Sequence, residues 1–313
     1  MKGIIHGLAV DAISVTSFVP AYYKKYNGEV NTILVDWSPL VRVINIAEDS
    51  LDNKIYMRAA RNSILVGEYL GRCLAGISNT SGLRAEDIHM IGHSLGGQML
   101  GTLGLAYKRW MRRLTGQQQK IGRLTGLDPA GPGFVDGDIT ADPRLTRARL
   151  NSEAAAWVDV IHTNAARSGP VALNLQDPLK MRLGDYGPNG HVDFYPDGGD
   201  LQTGCNGRGL KDILRLACSH QRSIYYFVDS ITSKCEFPVT GDRICMGEPA
   251  YQTSDRQGRF DVSAHAWYQK HRTSVANDAE ITTQMACRAF SNIFTDYLDT
   301  AICTKDYSRD CHI

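Results

Sequence analysis

No stretch of this sequence approaches 18 consecutive apolar residues, so no segment reads as a membrane-spanning helix. The opening residues, Met1-Lys2-Gly3-Ile4-Ile5-His6-Gly7, also lack the long apolar segment of an export signal. A bias toward one charge is missing as well. The 34 Lys and Arg face 33 Asp and Glu, which excludes a general attraction to nucleic acid or to an acidic polymer. None of the eight cysteines forms a Cys-x-x-Cys pair, so zinc and dithiol redox sites find no support. Repeats and low-complexity tracts are absent too. Whatever this chain recognises, it recognises through local sites.

What is present begins with the placement of those cysteines. All but Cys73 lie after residue 200: Cys205, Cys218, Cys235, Cys245, Cys287, Cys303 and Cys311. Clustered cysteines without metal spacing point to disulfides and hence to an exported protein. The sequon Asn79-Thr80-Ser81 agrees, although such triplets also arise by chance. With no export signal at Met1, the sequence is expected to be a trimmed form of a secreted chain.

Short β-rich runs ending in Gly or Asp alternate with helical stretches, which predicts an α/β fold: a mostly parallel sheet with helices on both faces. The clearest strands are expected at Thr32–Asp36, Ile88–Gly92, Gly122–Leu127 and Val158–Thr163. Between the first two, residues 53–77 carry Ala59, Ile64, Leu65, Tyr69 and Leu74 at helical spacing. Residues 184–209 are rich in Gly, Asp and Pro and form the one soft region, and from about residue 264 the pattern loosens. The expected division is a domain over residues 1–263 and a tail over 264–313.

The string Gly92-His93-Ser94-Leu95-Gly96 stands where a strand meets a helix. Glycines on both sides allow the sharp turn that exposes a serine hydroxyl, because a Cβ there collides across the turn. The string alone arises by chance in a chain rich in Gly and Ser, but strand before and helix after favour Ser94 as a nucleophile over a plain turn serine. Acyl transfer also requires two N–H groups aimed at the developing oxyanion. Leu95, opening the helix, is one candidate, and Leu8, after Ile5-His6-Gly7, is the other; a mere turn accounts for Leu8 equally well.

A carboxylate and then a histidine follow the serine in enzymes of this design. Asp128 ends the strand at Gly122–Leu127 in Leu127-Asp128-Pro129-Ala130-Gly131-Pro132 and so leaves the same sheet edge as Ser94; its alternative is a turn-initiating Asp before Pro. Six histidines lie beyond it. His162 and His191 belong to strand-like runs and read as structural. His220 is expected in a loop before a helix over Ser223–Ser230, although spacing alone favours it only slightly.

Taken together, these strings resemble the pancreatic lipase family, which includes lipoprotein lipase, phospholipases A1 and insect lipases. The shared segments are His6-Gly7, Val35-Asp36-Trp37-Ser38, Ile91-Gly92-His93-Ser94-Leu95-Gly96, Gly126 to Pro132, Val160-Ile161-His162-Thr163, His191 to Pro196, and Cys218-Ser219-His220-x-Arg222-Ser223, in family order over residues 1 to about 262. The resemblance implies an α/β-hydrolase fold, a triad of Ser94, Asp128 and His220, an oxyanion hole of Leu8 and Leu95, and extracellular hydrolysis of glycerolipid esters at a lipid–water interface. No cofactor is implied for either half of such a reaction. Family members carry strands ahead of the His-Gly loop, so the first strands of the sheet are expected to be missing. Some members bind calcium through two aspartates whose positions here hold Asn151 and Ala154, which implies a weak metal site or none.

In the family a Cys205–Cys218 disulfide closes a lid. Read as a helix, the enclosed residues put Leu210, Ile213, Leu214 and Ala217 on one face and Lys211, Asp212 and Arg215 opposite, which suits either a cover over an acyl cleft or an ordinary surface helix. A lid this short resembles phospholipases A1, whereas the long segment between His162 and His191 resembles triglyceride lipases, so the head group stays open. The cationic run Tyr107-Lys108-Arg109-Trp110-Met111-Arg112-Arg113 reads as the solvated end of the helix after Ser94 rather than as a contact for anionic lipid. Two other readings compete: a lipid-binding homologue without catalysis, and a smaller carboxylesterase without interfacial behaviour.

Overall fold

A computed structural model describes residues 1–8, 15–41, 54–136, 141–165, 182–205, 212–235, 237–239, 244–253 and 257–271. Among these residues seven strands form one sheet: β1 Lys2–Ile5, β2 Thr32–Val35, β3 His89–His93, β4 Arg123–Leu127, β5 Trp157–Ile161, β6 Val192–Pro196 and β7 Gly258–Val262. Their spatial order is β2-β1-β3-β4-β5-β6-β7, and every neighbouring pair is parallel. The four strands expected from the sequence are β2 to β5, each found within one or two residues of its expected ends.

Helices α1 Phe18–Tyr26, α2 Ser38–Val41, α3 Lys54–Ser81, α4 Leu95–Thr115, α5 Pro143–Ala148 and α6 Asp212–Thr232 flank the sheet. Strand alternation divides the interior in two. Met90, Leu124, Val158 and Val160 face Met99, Leu103 and Tyr107 of α4 and the buried side of α3. Ile4, Ile91, Trp157, Ile161 and Phe194 face Phe18 and Tyr22 of α1 and Ile224, Phe227 and Ile231 of α6. Every residue of β3 to β6 is buried, as a parallel sheet covered on both faces requires. Ala264 and Trp267 join the second core; from residue 272 the expected tail lies outside the described residues.

Two local expectations are corrected. Leu65 and Tyr69 do not belong to the buried stripe of α3 but are 70% and 65% exposed; Ala59, Ala60, Ser63, Leu74 and Ala75 make that stripe instead. His220 lies not in a loop but inside α6. No Gly or Pro occurs between residues 210 and 237, so nothing in the chain interrupts the helix before Ser223.

At the amino edge of the sheet a buried ion network ties strands to α1. Arg123 makes a two-point bond to Asp159 at 2.8 and 2.9 Å and reaches Glu248, which also binds Lys2 at 2.9 Å and Tyr22 at 3.0 Å. Burial alone would raise the Glu248 carboxyl, but Arg123 and Lys2 outweigh it and hold its pKa below the ordinary range. This network braces the end of the sheet opposite the candidate site.

Candidate active site at the carboxyl edge of the sheet

β3 ends in a turn that only this sequence pattern tolerates. Ser94 has φ 57° and ψ −121°, a conformation that a non-glycine residue adopts only under constraint from its surroundings. A Cβ on Gly92 would lie 2.2 Å from the Gly96 carbonyl oxygen, and one on Gly96 would lie 2.6 Å from that of His6. Both glycines are therefore required for β3, α4 and the β1 loop to meet at this point. The Ser94 N–H donates to the Leu127 carbonyl at 3.0 Å, and the Ser94 carbonyl accepts from Ala130 at 3.1 Å, which fixes the turn to the end of β4.

Asp128 follows β4 directly, also with a positive φ of 42°, and is fully buried. Its Oδ1 accepts the N–H groups of Thr163 at 2.8 Å and Asn164 at 3.1 Å, both just past β5. Its Oδ2 accepts from His220 Nδ1 at 2.5 Å. His220 falls on the buried stripe of α6, in step with Leu216, Ile224, Phe227 and Ile231, and Cys205–Cys218 ties the preceding turn of that helix to the loop after β6. The structure thus brings Asp128 and His220 together.

His93, the residue before Ser94, reaches His220. The His93 ring lies 4.5 Å from that of His220, and its Nε2 donates to the His220 carbonyl at 3.3 Å. Burial first, and then the adjacent His220, push the His93 pKa well below the ordinary histidine value, so His93 stays neutral. No hydrogen bond joins Ser94 Oγ to His220 among the described residues. His93 is a contact that sequence reasoning missed, although its place within the Gly-x-Ser-x-Gly string puts it one residue from Ser94.

Leu95 opens α4, so its N–H has no partner within the helix and sits at the positive end of the helix dipole. Leu8 follows Gly7, whose Cβ position would lie 2.8 Å from Ser94 Cβ. His6 Nε2 accepts from the Trp37 N–H at 3.1 Å, so Nδ1 carries the ring proton and donates to the Gly7 carbonyl at 2.9 Å. With that carbonyl engaged, the Leu8 N–H on the opposite edge of the same peptide plane stays free of this bond. The Leu95 N–H thus opens α4 next to Ser94, and the Gly7 backbone passes beside the same serine.

The second disulfide, Cys235–Cys245, pins the loop after α6, and Cys73 has no disulfide partner among the described residues. Leu210 lies outside the described residues, and Ile213 and Leu214 lie in α6 with side chains outside the description. Asn151 caps a short turn by accepting from the Glu153 N–H at 2.9 Å, and Ala154 is buried against α4. No described helix is long and apolar enough to cross a membrane.

A parallel sheet of this order, with a strained serine between β3 and α4 and an Asp–His pair at the same edge, defines an α/β-hydrolase. The family model described as lipase matches residues 1–254, and the chain belongs to that family, the pancreatic lipase family. It is similar to lipoprotein lipase of Homo sapiens, at 32% identity over 262 residues that cover 80% of this chain and 46% of that one. It is also similar to hepatic triacylglycerol lipase of Rattus norvegicus, at 31% identity over 241 residues covering 73% of this chain and 42% of that one. The chain thus spans less than half the length of these relatives.

Proposed function

We propose that this chain is an exported serine carboxylic ester hydrolase that cleaves glycerolipids through an acyl-enzyme on Ser94. The observation that carries the reading is the Asp128–His220 bond beside the strained Ser94 turn. His220 takes the Ser94 proton as the hydroxyl oxygen attacks the ester carbonyl, and Asp128 holds the imidazole in the required tautomer and stabilises its charged form. Leu95 and Leu8 N–H groups receive the oxyanion. The alcohol leaves with the proton from His220, and water, activated by the same histidine, then releases the fatty acid.

Lipid as the substrate class is supported by family membership and by the names of the relatives. The segment closed by Cys205–Cys218 acts in this reading as the cover of the acyl cleft. The disulfides Cys205–Cys218 and Cys235–Cys245 suit an oxidising compartment, and the exposed Asn79 of the sequon is accessible to a glycan. Triacylglycerol and phospholipid are separated by assay of purified protein on triolein, phosphatidylcholine and a short-chain ester, below and above the concentration at which each forms an interface. Turnover that rises at the interface and vanishes in Ser94→Ala supports the reading. Equal turnover in Ser94→Ala and wild type contradicts it, and equal rates on monomeric and micellar ester point to a simple carboxylesterase.

A further inference from the structure

Behind Asp128 lies a second buried His–Asp pair. His162, the residue after β5, is fully buried; its Nδ1 lies 2.5 Å from the Asp185 carbonyl oxygen and its Nε2 lies 2.8 Å from Asp193 Oδ1. Neither acceptor has a proton to give. A carbonyl oxygen only accepts, and Asp193 accepts on both oxygens, from the Asn189 N–H at 3.0 Å and the Gly190 N–H at 3.1 Å. With Asp193 as its carboxylate, both ring nitrogens of His162 donate, which makes the ring an imidazolium. Tyr195 stacks on it at 4.4 Å, nearly parallel.

This ring joins the two loops that enclose Asp128. The N–H groups of Thr163 and Asn164, the next two residues, occupy Asp128 Oδ1. Asp185, whose carbonyl receives the ring, donates its own N–H to the Pro129 carbonyl at 2.8 Å. Gly184 lies so close that a Cβ there would stand 2.4 Å from Asp128 Oδ1. Arg149 neutralises the Asp185 carboxylate through bonds of 2.5 and 2.9 Å.

We infer that His162, as a buried imidazolium locked between Asp185 and Asp193, is a positioning residue that holds Asp128 in place against His220. The inference rests on the proposed role of Asp128 in orienting His220. It also assigns the charge of the region: the carboxylates of Asp128, Asp185 and Asp193 face the cations Arg149 and His162, which leaves one negative charge to receive the imidazolium that His220 becomes. The electrostatics agree with the bond pattern. Burial alone would lower the His162 pKa, but the Asp193 bond and the charges of Asp193, Asp185 and Asp128 outweigh it and raise the value above that of ordinary histidine.

Two measurements test this. Ring nitrogen NMR on the intact wild-type protein at pH 7.5 reads the charge of His162 directly, with no variant required; both nitrogens protonated is the expected result, and a neutral ring overturns the inference. A double-mutant cycle on kcat for a short-chain ester then asks whether His162 acts through Asp128. His162→Gln lowers kcat on the order of 100-fold with little change in KM, as a small displacement of the acid does, and costs less than about 3-fold more in the Asp128→Asn background. Equal losses in both backgrounds, or wild-type kcat in His162→Gln, overturn it. If His162→Gln does not fold, Asp193→Asn replaces it: the His162 pKa read by NMR falls, and the alkaline limb of kcat moves with it, whereas an unmoved limb overturns the inference. Wild-type protein without ester turnover contradicts the proposed function instead, and leaves the charge of His162 to be judged by NMR alone.

Discussion

His220 Nδ1 and Asp128 Oδ2, 92 residues apart in the chain, are joined by a bond of 2.5 Å, while the other oxygen of the same carboxylate is already committed to two backbone N–H groups. One oxygen is anchored to the end of β5, so the second has one direction left. The consequence is a sharp prediction for Asp128→Asn. The amide oxygen takes the place facing Thr163 and Asn164, which turns the NH2 group toward His220 Nδ1 and forces the ring proton onto Nε2. That tautomer does not accept the Ser94 proton. We expect kcat to fall about 10⁴-fold with KM and thermal stability nearly unchanged, as steady-state kinetics and melting curves will read.

Gly96→Ala tests the turn at Ser94. The added methyl meets the His6 carbonyl oxygen at 2.6 Å and that of Ile5 at 2.7 Å, and backbone on both sides leaves no flexible group to give way. A loss of about 1–3 kcal/mol in urea unfolding is expected, together with loss of ester turnover in the remaining folded protein. Full stability with full activity speaks against a close approach of α4 to the β1 loop.

Arg123→Met separates bracing from chemistry. It leaves Asp159 and Glu248 buried without their shared cation at the edge of the sheet opposite Ser94, and a cost of about 3–5 kcal/mol is expected. Turnover per folded molecule should stay close to wild type. A selective fall in kcat with unchanged stability would contradict this division of labour.

Stability should peak near neutral pH. His89 and His93 have pKa values pushed well below the ordinary one, first by burial and then by Lys2 and Arg123 beside His89 and by His220 beside His93, so below about pH 6.5 the unfolded chain binds two protons that the native state does not. Stability then falls with acid, by up to about 2.7 kcal/mol per pH unit for two protons. His162 works in the other direction: its raised pKa contributes stability that is fully present below about pH 6.5 and is lost as pH rises through the folded value. Urea unfolding between pH 5 and 9 checks both limbs, and a flat profile from pH 5 to 7 counts against the acid limb.

Much of the sheet and of the site is legible in the amino-acid sequence. Strands β3 to β5 announce themselves because buried parallel strands are short apolar runs, and the edge strand β2 shows the same apolar run before Asp36; Ser94 and Asp128 sit at the ends of such strands. His220 is harder to read, because its environment is set by long-range packing. The cysteine two residues before it suggests a boundary, whereas the stripe Leu216, His220, Ile224, Phe227 and Ile231 has the spacing of one continuous helix. Leu65 and Tyr69 mislead for the converse reason: apolar residues four apart match a buried face, yet α3 turns them to solvent. His162 reads as structural from its strand, but its second bond depends on the Asp185 carbonyl, 23 residues away, which no local pattern encodes.

The central claim is that Ser94 is an activated nucleophile. Incubation with a fluorophosphonate, followed by peptide mass spectrometry, tests it without any assumption about the lipid. The account predicts a single adduct on Ser94 in the wild type, none in Ser94→Ala, and labelling slowed by orders of magnitude in His220→Gln. A folded wild-type protein that stays unlabelled would contradict it and favour a lipid-binding member of the family that does not turn over ester, as would an adduct that forms equally fast in His220→Gln.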